Sequence, residues 1–434
     1  MDKMADVLGR AGAWCGQNKY LSAIKNAFQN FMPLTIAGAI GVLWCNVLVN
    51  DQTGLGLFFK PIMALDFLNP AFQAVNFCTI SCITVGITLG IAQEIGVWNM
   101  GAERAGYIPG LVGLAAWLSV TNTSHMVEGA KEAFTGIAGN ELGATGLFTG
   151  MIIGVLSVEL FCFFEKQDAL KIKMPEQVPP GVARAFEVLV PATITLIITA
   201  CIGSACYNLT GLYLNDVIKN GIQGPLGAVG ATIPGVMIIY LVIMLFWLVG
   251  IHGNNMLSAV KEALFTPLAL ENVEKFNKGE KPTNIINMYF LQMCGEFGGS
   301  GVTIGLVIAI MIFGKREDNK AIATLSLVPG LFNINETVTF GVPMVLNPIL
   351  GIPFVVAPLI TIIIGYVLTV IGFCPVACLT VPWTTPPIVF GFLACGANVM
   401  GAVTQAILIV VSTVIYVPFL ISYEKYQNKQ AAEA

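Results

Sequence analysis

The stretch IPFVVAPLITIIIGYVLTVIGF, residues 352–373, contains no charged side chain. A helix crosses the hydrocarbon core of a bilayer with roughly 20 mostly apolar residues, and this stretch has the required length. Its surroundings are equally poor in charge, because Glu336 is the only charged residue between Lys320 and Glu424. Lipid is therefore the expected solvent for this part of the chain.

Composition extends this interpretation to the whole chain. Of the 434 residues, 56% are apolar and only 11% are charged, against roughly 25% charged in soluble domains. The sequence predicts an all-α polytopic membrane protein with about ten transmembrane helices, and with re-entrant hairpins in the second half. The clearest candidate spans are Phe28–Val49, Val75–Ile95, Ala105–Val120, Ala144–Phe164, Val188–Tyr207, Ile233–Gly250, Gly301–Phe313, Ile352–Phe373 and Ala402–Ile421.

The distribution of Lys and Arg indicates the orientation of the chain. Basic residues occur in the N-terminal segment, in the loop after the fourth span and in the C-terminal tail, which places all three in the cytoplasm if the number of spans is even. The segment 286–314 has basic residues on both sides, so either one basic loop is external or the segment doubles back at Gly298–Gly301. The predicted organisation is an N-terminal segment 1–27 without a signal peptide, a helical domain 28–210, a second domain 211–421 and a tail 422–434.

The charge, the motifs and the cysteine spacing of the sequence argue against several classes of function. The net charge of −4 and the absence of a long basic run give no support to nucleic-acid binding. No P-loop occurs, so an ATP-driven motor within the chain is not expected. Cys78/Cys82 and Cys374/Cys378 have i, i+4 spacing, but no His or further Cys joins them, which favours packing over a metal site. We expect neither a metal nor a cofactor.

Polar clusters interrupt the apolar segments of the second half, and two ionisable residues stand alone within them. Glu336 follows Asn333 and Asn335, and His252 precedes Gly253, Asn254 and Asn255. An isolated carboxylate among apolar segments is costly unless it faces a cavity or a partner. Transporters build binding sites from such broken helices. The sequence favours a ligand or proton site at these residues, and the alternative is a structural carboxylate and a satisfied core histidine.

Two tryptophans, Trp247 and Trp383, flank the polar clusters. They could be ordinary packing or interfacial residues. They also suit a sugar, because its C–H faces lie well on aromatic rings while its hydroxyls need amides and carboxylates. An anionic substrate would need Lys or Arg in the core, and the sequence indicates none there. The combination therefore predicts a neutral, polyhydroxylated ligand.

Other titratable residues are further candidates for a direct role. Glu94, Glu159 and Glu296 lie within or beside apolar segments, and Arg104 or Arg184 is expected to pair with one of them. His125 lies in a polar loop and is expected to be solvated.

The motifs of the second half resemble those of a known family. The sequence has IHGNN at 251–255, LFNINE at 331–336 followed by GVPMVLNP at 341–348, and VPWTTPP at 381–387. Together with the central loop from Lys173 to Arg184 and GGSG at 298–301, they resemble the sugar permease (EIIC) of the phosphoenolpyruvate-dependent phosphotransferase system, in its lactose, cellobiose and diacetylchitobiose branch. The resemblance covers nearly the whole chain.

The resemblance implies a homodimer in the bacterial inner membrane. The first half is implied to mediate dimer contact, and the second half to carry the sugar in an elevator-like movement. The resemblance also implies a partner EIIB, bearing a phosphocysteine, that phosphorylates a 6-hydroxyl of the sugar as it arrives inside, and a partner EIIA. Both chain ends are too short for an EIIA or EIIB domain, so these partners are expected to be separate chains.

The resemblance also implies residue roles. His252 and Glu336 are similar to the pair that holds the reacting hydroxyl, which makes them the expected catalytic residues. The expected sugar contacts are Trp247, His252, Gly253, Asn254, Asn333, Asn335, Glu336, Trp383, Thr384 and Gly143. A carboxylate beside a hydroxyl can accept its proton or only orient it, and both roles stay open for Glu336.

Two departures from the family pattern border the implied pocket, namely Thr337 after the Asn-Ile-Asn-Glu block and Phe390 before Gly391. The expected substrate is a β-linked disaccharide or short oligosaccharide, cellobiose-like first and diacetylchitobiose-like second. The rival hypothesis is an ion-coupled secondary sugar transporter in which Glu336 carries a proton. A sensor would need an output domain, and the sequence contains no recognisable one.

Overall fold

The computed structural model describes residues 9–11, 13–14, 17–51, 55–125, 134–175 and 177–433. The first eight residues of the predicted N-terminal segment and the last residue of the predicted tail lie outside the described residues. The chain divides into two compact units. The N-terminal unit comprises Gln17–Gly38 and Ala74–Gly227, and the C-terminal unit comprises Met1–Gly16, Ala39–Gln73 and Ala228–Ala434. The predicted domain ranges, 28–210 and 211–421, differ from these units chiefly at residues 39–73 and 211–227.

Helices account for nearly all regular structure in the described residues. The α-helices are α1 Lys19–Leu43, α2 Asn69–Cys78, α3 Ile83–Met100, α4 Ala102–Ala105, α5 Ile108–Val120, α6 Gly139–Leu142, α7 Ala144–Glu165, α8 Pro180–Thr210, α9 Leu214–Ile218, α10 Gly224–Gly230, α11 Ile233–Leu248, α12 Gly253–Met256, α13 Ser258–Asn277, α14 Met288–Gly295, α15 Ile304–Phe313, α16 Glu317–Leu331, α17 Glu336–Gly341, α18 Gly351–Val370, α19 Val389–Ala394 and α20 Val399–Glu433. Short 3₁₀ helices lie at Leu55–Leu57, Lys60–Leu68, Ile80–Cys82 and Asp168–Leu170, and π-helical turns at Trp44–Leu48 and Lys219–Gln223. One two-residue antiparallel ladder pairs β1 Ser124–His125 with β2 Phe134–Thr135, with Ser124 opposite Thr135.

The predicted all-α membrane fold is confirmed in class. Six helices of the described residues are long and apolar enough to cross a membrane, or up to seven if the bent pair Leu214–Gly230 and Ile233–Leu248 counts as one. Ile108–Val120 and Ile304–Phe313 are apolar but shorter. The count of about ten crossing elements therefore stays a prediction.

Small residues hold the N-terminal unit together. A Cβ added at Gly96 would collide with Pro109 of α5, and one added at Gly150 would collide with Thr88 of α3. Close backbone approach through small residues is the usual basis of helix packing in lipid, where apolar burial gives no driving force. Beside these contacts, Trp117 of α5 is fully buried with Ile153 of α7.

An ion-pair cluster joins α4, α7 and α8 in this unit. The buried carboxylate of Glu165 accepts from Arg104 Nε at 2.8 Å and from Arg184 Nη1 at 2.9 Å. Glu187 bonds the same two arginines, at 3.0 and 2.8 Å. The expectation that Arg104 or Arg184 pairs with Glu94, Glu159 or Glu296 is therefore wrong, because the two arginines bond a carboxylate pair that the sequence reasoning passed over.

Interrupted helices characterise the C-terminal unit. At the interruptions, side chains rather than regular secondary structure provide hydrogen-bond partners for the backbone. Gln405 of α20 is buried, and its Oε1 accepts from the backbone N–H of Ile388 at 2.7 Å and of Gly391 at 2.8 Å, while its Nε2 donates to Met293 O at 3.1 Å. Irregular backbone at membrane depth survives only where protein or a cavity satisfies it. Gln405 meets this requirement for the start of α19.

The longest helix, α20, has 35 residues and also anchors the turn before α16. Glu424 is buried near its end, where the carboxylate accepts from Lys315 N at 2.8 Å and from Asn319 Nδ2 at 3.2 Å. Arg316 Nη1 donates to Asn428 Oδ1 at 2.8 Å. The 315–319 turn is therefore fixed to the C-terminal helix by hydrogen bonds from both backbone and side chains.

Candidate functional site

The four-residue loop Gly298–Gly301 is the meeting point of the polar clusters of the C-terminal unit. Ser300 Oγ accepts from Asn254 Nδ2 at 3.0 Å, and Ser300 O accepts from Asn335 Nδ2 at 2.8 Å. Gly299 has φ +90°, and an added Cβ would lie 2.6 Å from Asn335 Cβ. Glycine is needed there for both the left-handed backbone and the close approach. The loop thus brings residues 254 and 335 together.

Asn333 connects the same loop to the 383–387 segment. Its Oδ1 accepts from Gly298 N at 2.6 Å, and its Nδ2 donates to the carbonyls of Trp383 and, at 3.2 Å, of Thr385. Its φ is +62°, a conformation that Asn tolerates better than most residues. Asn333 therefore acts as a bracket for the backbone, and its amide is fully engaged by the protein.

His252 and Glu336 face each other across this assembly. His252 precedes α12, and its Nδ1 accepts from Asn255 N–H at 3.2 Å. A neutral imidazole that accepts at Nδ1 carries its proton on Nε2. His252 Nε2 lies 3.8 Å from Glu336 Oε1, and the two side chains are 38% and 47% exposed. The pair therefore presents one donor and one acceptor, side by side and accessible.

Trp247 orients His252. The ring centroids of the two side chains are 4.5 Å apart, and Trp247 in turn packs edge-on against Phe354 at 6.4 Å. Trp247 is almost fully buried, so in this structure it supports the imidazole from behind. The prediction that Trp247 contacts the sugar stays a prediction.

Gly253 begins α12 in close contact with α11. A Cβ there would collide with the backbone carbonyl of Ile243. Only glycine allows the short helix to approach so closely, and the approach fixes the position of His252 one residue earlier.

The remaining predicted contacts lie in two places. Trp383 is 44% exposed and Thr384 is half-buried, beside the Asn333 bracket. Gly143 belongs to the N-terminal unit, where its carbonyl accepts from Thr84 Oγ1 at 2.7 Å. Of the two departures, Thr337 is exposed and Phe390 is buried. A role in sugar binding stays a prediction for each of these residues.

A buried lysine lies near the site, contrary to the expectation that the core holds no Lys or Arg. Lys261 of α13 is 7% exposed at its side chain and forms an ion pair with Glu296 Oε1, which also accepts from Tyr240 OH at 2.7 Å. The expectation was wrong because Lys261 looks in sequence like the first charged residue after an uncharged stretch, and nothing local reveals its distant partner. Glu296 neutralises its charge, so the site gains no free cation from it.

The other candidates make local contacts in the N-terminal unit. Asn26 Nδ2 donates to Glu94 at 2.9 Å, Lys19 pairs with Glu159 at 2.6 Å, and His125 Nε2 lies 3.2 Å from Asn122 O. Among the described residues, no group of three or more His, Cys, Asp and Glu side chains is arranged to hold a metal ion.

The arrangement suits one chemical task well. A hydroxyl oxygen about 2.8 Å from each partner can bridge two atoms that are 3.8 Å apart. His252 Nε2–H would then donate to that oxygen, while the Glu336 carboxylate accepts its proton. The site can thus hold and orient an alcohol, with amide groups of Asn254 and Asn335 close by.

Comparison with known proteins identifies the family of the chain. A family model described as "Phosphotransferase system, EIIC" matches residues 25–358. The chain is 32% identical over 429 residues to the oligo-beta-mannoside-specific EIIC component of Bacillus subtilis (98% of this chain, 94% of the relative), and 30% identical over 486 residues to the cellobiose-specific EIIC component of Lactococcus lactis (98% of each). The crystal structure of the transporter ChbC, the IIC component from the N,N'-diacetylchitobiose-specific phosphotransferase system, matches with a TM-score of 0.88 and 29% identity over 97% of both chains. This multi-pass membrane protein therefore belongs to the EIIC family of the phosphotransferase system.

Proposed function

We propose that this EIIC component moves a β-linked disaccharide, cellobiose-like first and diacetylchitobiose-like second, into the cell, and that a partner EIIB phosphorylates a 6-hydroxyl of the sugar. The observation that carries the proposal is the His252–Glu336 pair, 3.8 Å apart and accessible, which matches the donor and acceptor of one hydroxyl. The relatives named for β-mannosides, cellobiose and diacetylchitobiose support the substrate class.

The other site residues support a neutral sugar. Asn254 Oδ1 is buried and, within the described part of the chain, accepts no hydrogen bond, so its acceptor capacity is unused until a sugar hydroxyl reaches it. Trp383, 44% exposed, offers an aromatic face to the C–H surface of a sugar ring. The one buried lysine near the site is neutralised by Glu296, which disfavours an anionic substrate.

In the proposed reaction, the sugar oxygen attacks the phosphorus of the EIIB phosphocysteine. The P–S bond breaks, the P–O bond forms, and the hydroxyl proton leaves toward Glu336. Phosphoryl transfer depends mainly on positioning the nucleophile, so His252 and Glu336 contribute by fixing the oxygen before attack. The proposal includes EIIB and EIIA as separate chains, a homodimer in the bacterial inner membrane, and an elevator-like movement of the second half.

Uptake into vesicles tests this proposal. Vesicles containing the protein would be loaded with phosphoenolpyruvate, the general phosphotransfer proteins, EIIA and EIIB, and supplied outside with radiolabelled cellobiose or diacetylchitobiose. We expect internal sugar 6-phosphate that disappears when EIIB is omitted. His252→Ala and Glu336→Ala should each abolish its formation while the protein stays in the membrane, and His125→Ala, which changes the other histidine of the chain, should not.

The same experiment decides against the rival. Unmodified sugar that accumulates on a proton gradient without EIIB would establish an ion-coupled transporter instead. Normal phosphorylation in either the His252 or the Glu336 variant would refute the assignment of the site.

A further inference from the structure

A buried cluster of three polar side chains lies next to the site and has no part in the proposed reaction. Glu296 Oε1 accepts from Tyr240 OH at 2.7 Å and forms the ion pair with Lys261 Nζ. The Lys261 ammonium also lies 5.7 Å from the centroid of the Tyr240 ring. Tyr240 is 1% exposed, so the cluster is closed to solvent on that side.

The residues of the cluster come from segments before and after His252 in the sequence. Tyr240 lies on α11 before the His252 segment, and Lys261 lies on α13 after it. Glu296 bonds both, so one carboxylate fixes the spacing of the two helices between which His252 and α12 are held. This is the first connection from Glu296 to the hydroxyl-binding pair.

The second connection runs through the backbone. The Glu296 carbonyl accepts from Gly299 N–H at 2.9 Å and closes the turn of the Gly298–Gly301 loop. Ser300 of this loop accepts from Asn335, which directly precedes Glu336 at the start of α17. Glu296 is therefore linked to His252 through its side chain and to Glu336 through its backbone.

Burial raises the free-energy cost of separating the Lys261–Glu296 ion pair. A charge in a low-dielectric interior is strongly destabilised when its partner is removed, since desolvation is no longer offset. Tyr240, Lys261 and Glu296 therefore have little freedom to separate, and they hold together α11, α13 and the turn after α14. The proposed reaction uses none of the three side chains.

We propose that Tyr240, Lys261 and Glu296 form a positioning cluster that sets the separation of His252 from Glu336, so that it governs the rate of phosphoryl transfer and has little effect on sugar affinity. The inference rests on the proposed function, because it assigns a role to residues that act through the proposed hydroxyl-binding pair. A misplacement of about 1 Å can reduce a rate about a hundredfold.

The test measures two quantities in the full-length protein in vesicles: binding of radiolabelled cellobiose or diacetylchitobiose, and EIIB-dependent formation of the sugar 6-phosphate. We expect Lys261→Met and Glu296→Gln each to reduce the transfer rate about a hundredfold while sugar affinity stays within about threefold. Lys261→Arg, which keeps the charge, should restore most of the rate. Lys278→Met is the matched control, because Lys278 lies just past the end of α13 and pairs with Glu274 of that helix in an exposed ion pair.

A double variant separates positioning from general destabilisation. Glu336→Gln keeps an acceptor oxygen, so a slow residual transfer stays measurable; because the pair no longer positions the hydroxyl in that background, adding Lys261→Met should cause no further loss of transfer. Additive losses, or equal losses of binding and transfer in Lys261→Met, would overturn the inference. If Lys261→Met does not reach the membrane folded, Tyr240→Phe decides: slower transfer at unchanged affinity supports the cluster, and an unchanged rate refutes it.

Failure of the inference and failure of the proposed function are distinguishable. Normal transfer by Glu336→Gln alone would refute the proposed site. Loss of transfer in Glu336→Gln together with normal transfer in Lys261→Met would refute the positioning cluster only.

Discussion

Substituting Gly253 by alanine isolates the geometry of the His252–Glu336 pair from its chemistry. The added Cβ would meet the backbone carbonyl of Ile243 well inside 3.0 Å, a separation that real Cβ atoms essentially never show. A backbone carbonyl within a helix cannot rotate away as a flexible side chain can. The start of α12 must therefore move by at least about 1 Å to bring the Cβ beyond 3.0 Å from the carbonyl, and His252, the preceding residue, must move with it.

The expected magnitude follows from the observed spacing. His252 Nε2 and Glu336 Oε1 are 3.8 Å apart, and a displacement of about 1 Å leaves a bridging hydroxyl poorly aligned with both. Such a misplacement reduces the rate about a hundredfold, which corresponds to about 2.7 kcal/mol in the activation barrier. Sugar affinity should change less than about threefold, because the proposed contact with Trp383 lies on a segment outside α12.

The assay compares EIIB-dependent formation of sugar 6-phosphate with sugar binding in the same vesicles. Gly181→Ala is the control, because no atom lies within 4 Å of a Cβ at that position near the start of α8. An unchanged transfer rate in a folded Gly253→Ala protein would refute the reasoning, as would an equal loss in the Gly181→Ala control.

Substitutions at three further positions test the supports of the structure. Asn333→Ala removes the bracket between the 298 loop and the 383–387 segment and places alanine at φ +62°. The free energy of unfolding in detergent should therefore fall by about 2 kcal/mol or more. Asn333→Gly relieves the backbone strain, so its free energy of unfolding should fall less, and equal losses would contradict the strain argument. Gln405→Leu leaves two backbone N–H groups without their acceptor and should destabilise by about 2–4 kcal/mol, measured as a lower unfolding temperature; an unchanged temperature would show that other groups satisfy this backbone. Glu165→Gln weakens the bonds to Arg104 and Arg184 and should lower the free energy of unfolding by about 2 kcal/mol. The loss should be smaller than for a fully buried ion pair because Arg104 is half-exposed. No loss in the same measurement would show that the cluster is dispensable for stability.

Most of the helices were predictable from the sequence because apolar length is a local property. The predicted span Ala144–Phe164 corresponds to α7 Ala144–Glu165, and Ile233–Gly250 to α11 Ile233–Leu248. The predicted helix boundaries were less accurate where polar residues continue a helix beyond its apolar part. The stretch Ala402–Ile421 belongs to α20, which runs on to Glu433 through charged residues whose helical propensity is high but whose hydropathy is low.

The site was predictable in composition but not in its internal contacts. His252, Asn254, Asn335 and Glu336 were recognisable as polar residues in apolar surroundings, and the structure brings them to one loop. The Lys261–Glu296 pair was missed because its partners are distant in sequence and each lies at the edge of an apolar segment. A tertiary ion pair leaves no periodic signal in a single sequence, so charges of this kind are identified only once the fold is known.

The Gly298–Gly301 loop also dictates when the site can exist during biosynthesis. Asn254 precedes its partner Ser300 in this loop by 46 residues, and Asn333, which bonds Gly298, precedes its acceptors Trp383 and Thr385 by 50 and 52 residues. A ribosome adds about 5–20 residues per second, so about 2–10 s separate the synthesis of each asparagine from that of these later partners. During that time the side-chain amide lacks these hydrogen bonds. The nascent chain must therefore keep each segment in contact with water or with the insertion machinery until its partner emerges, and the order of insertion is as much a requirement of this site as its final geometry.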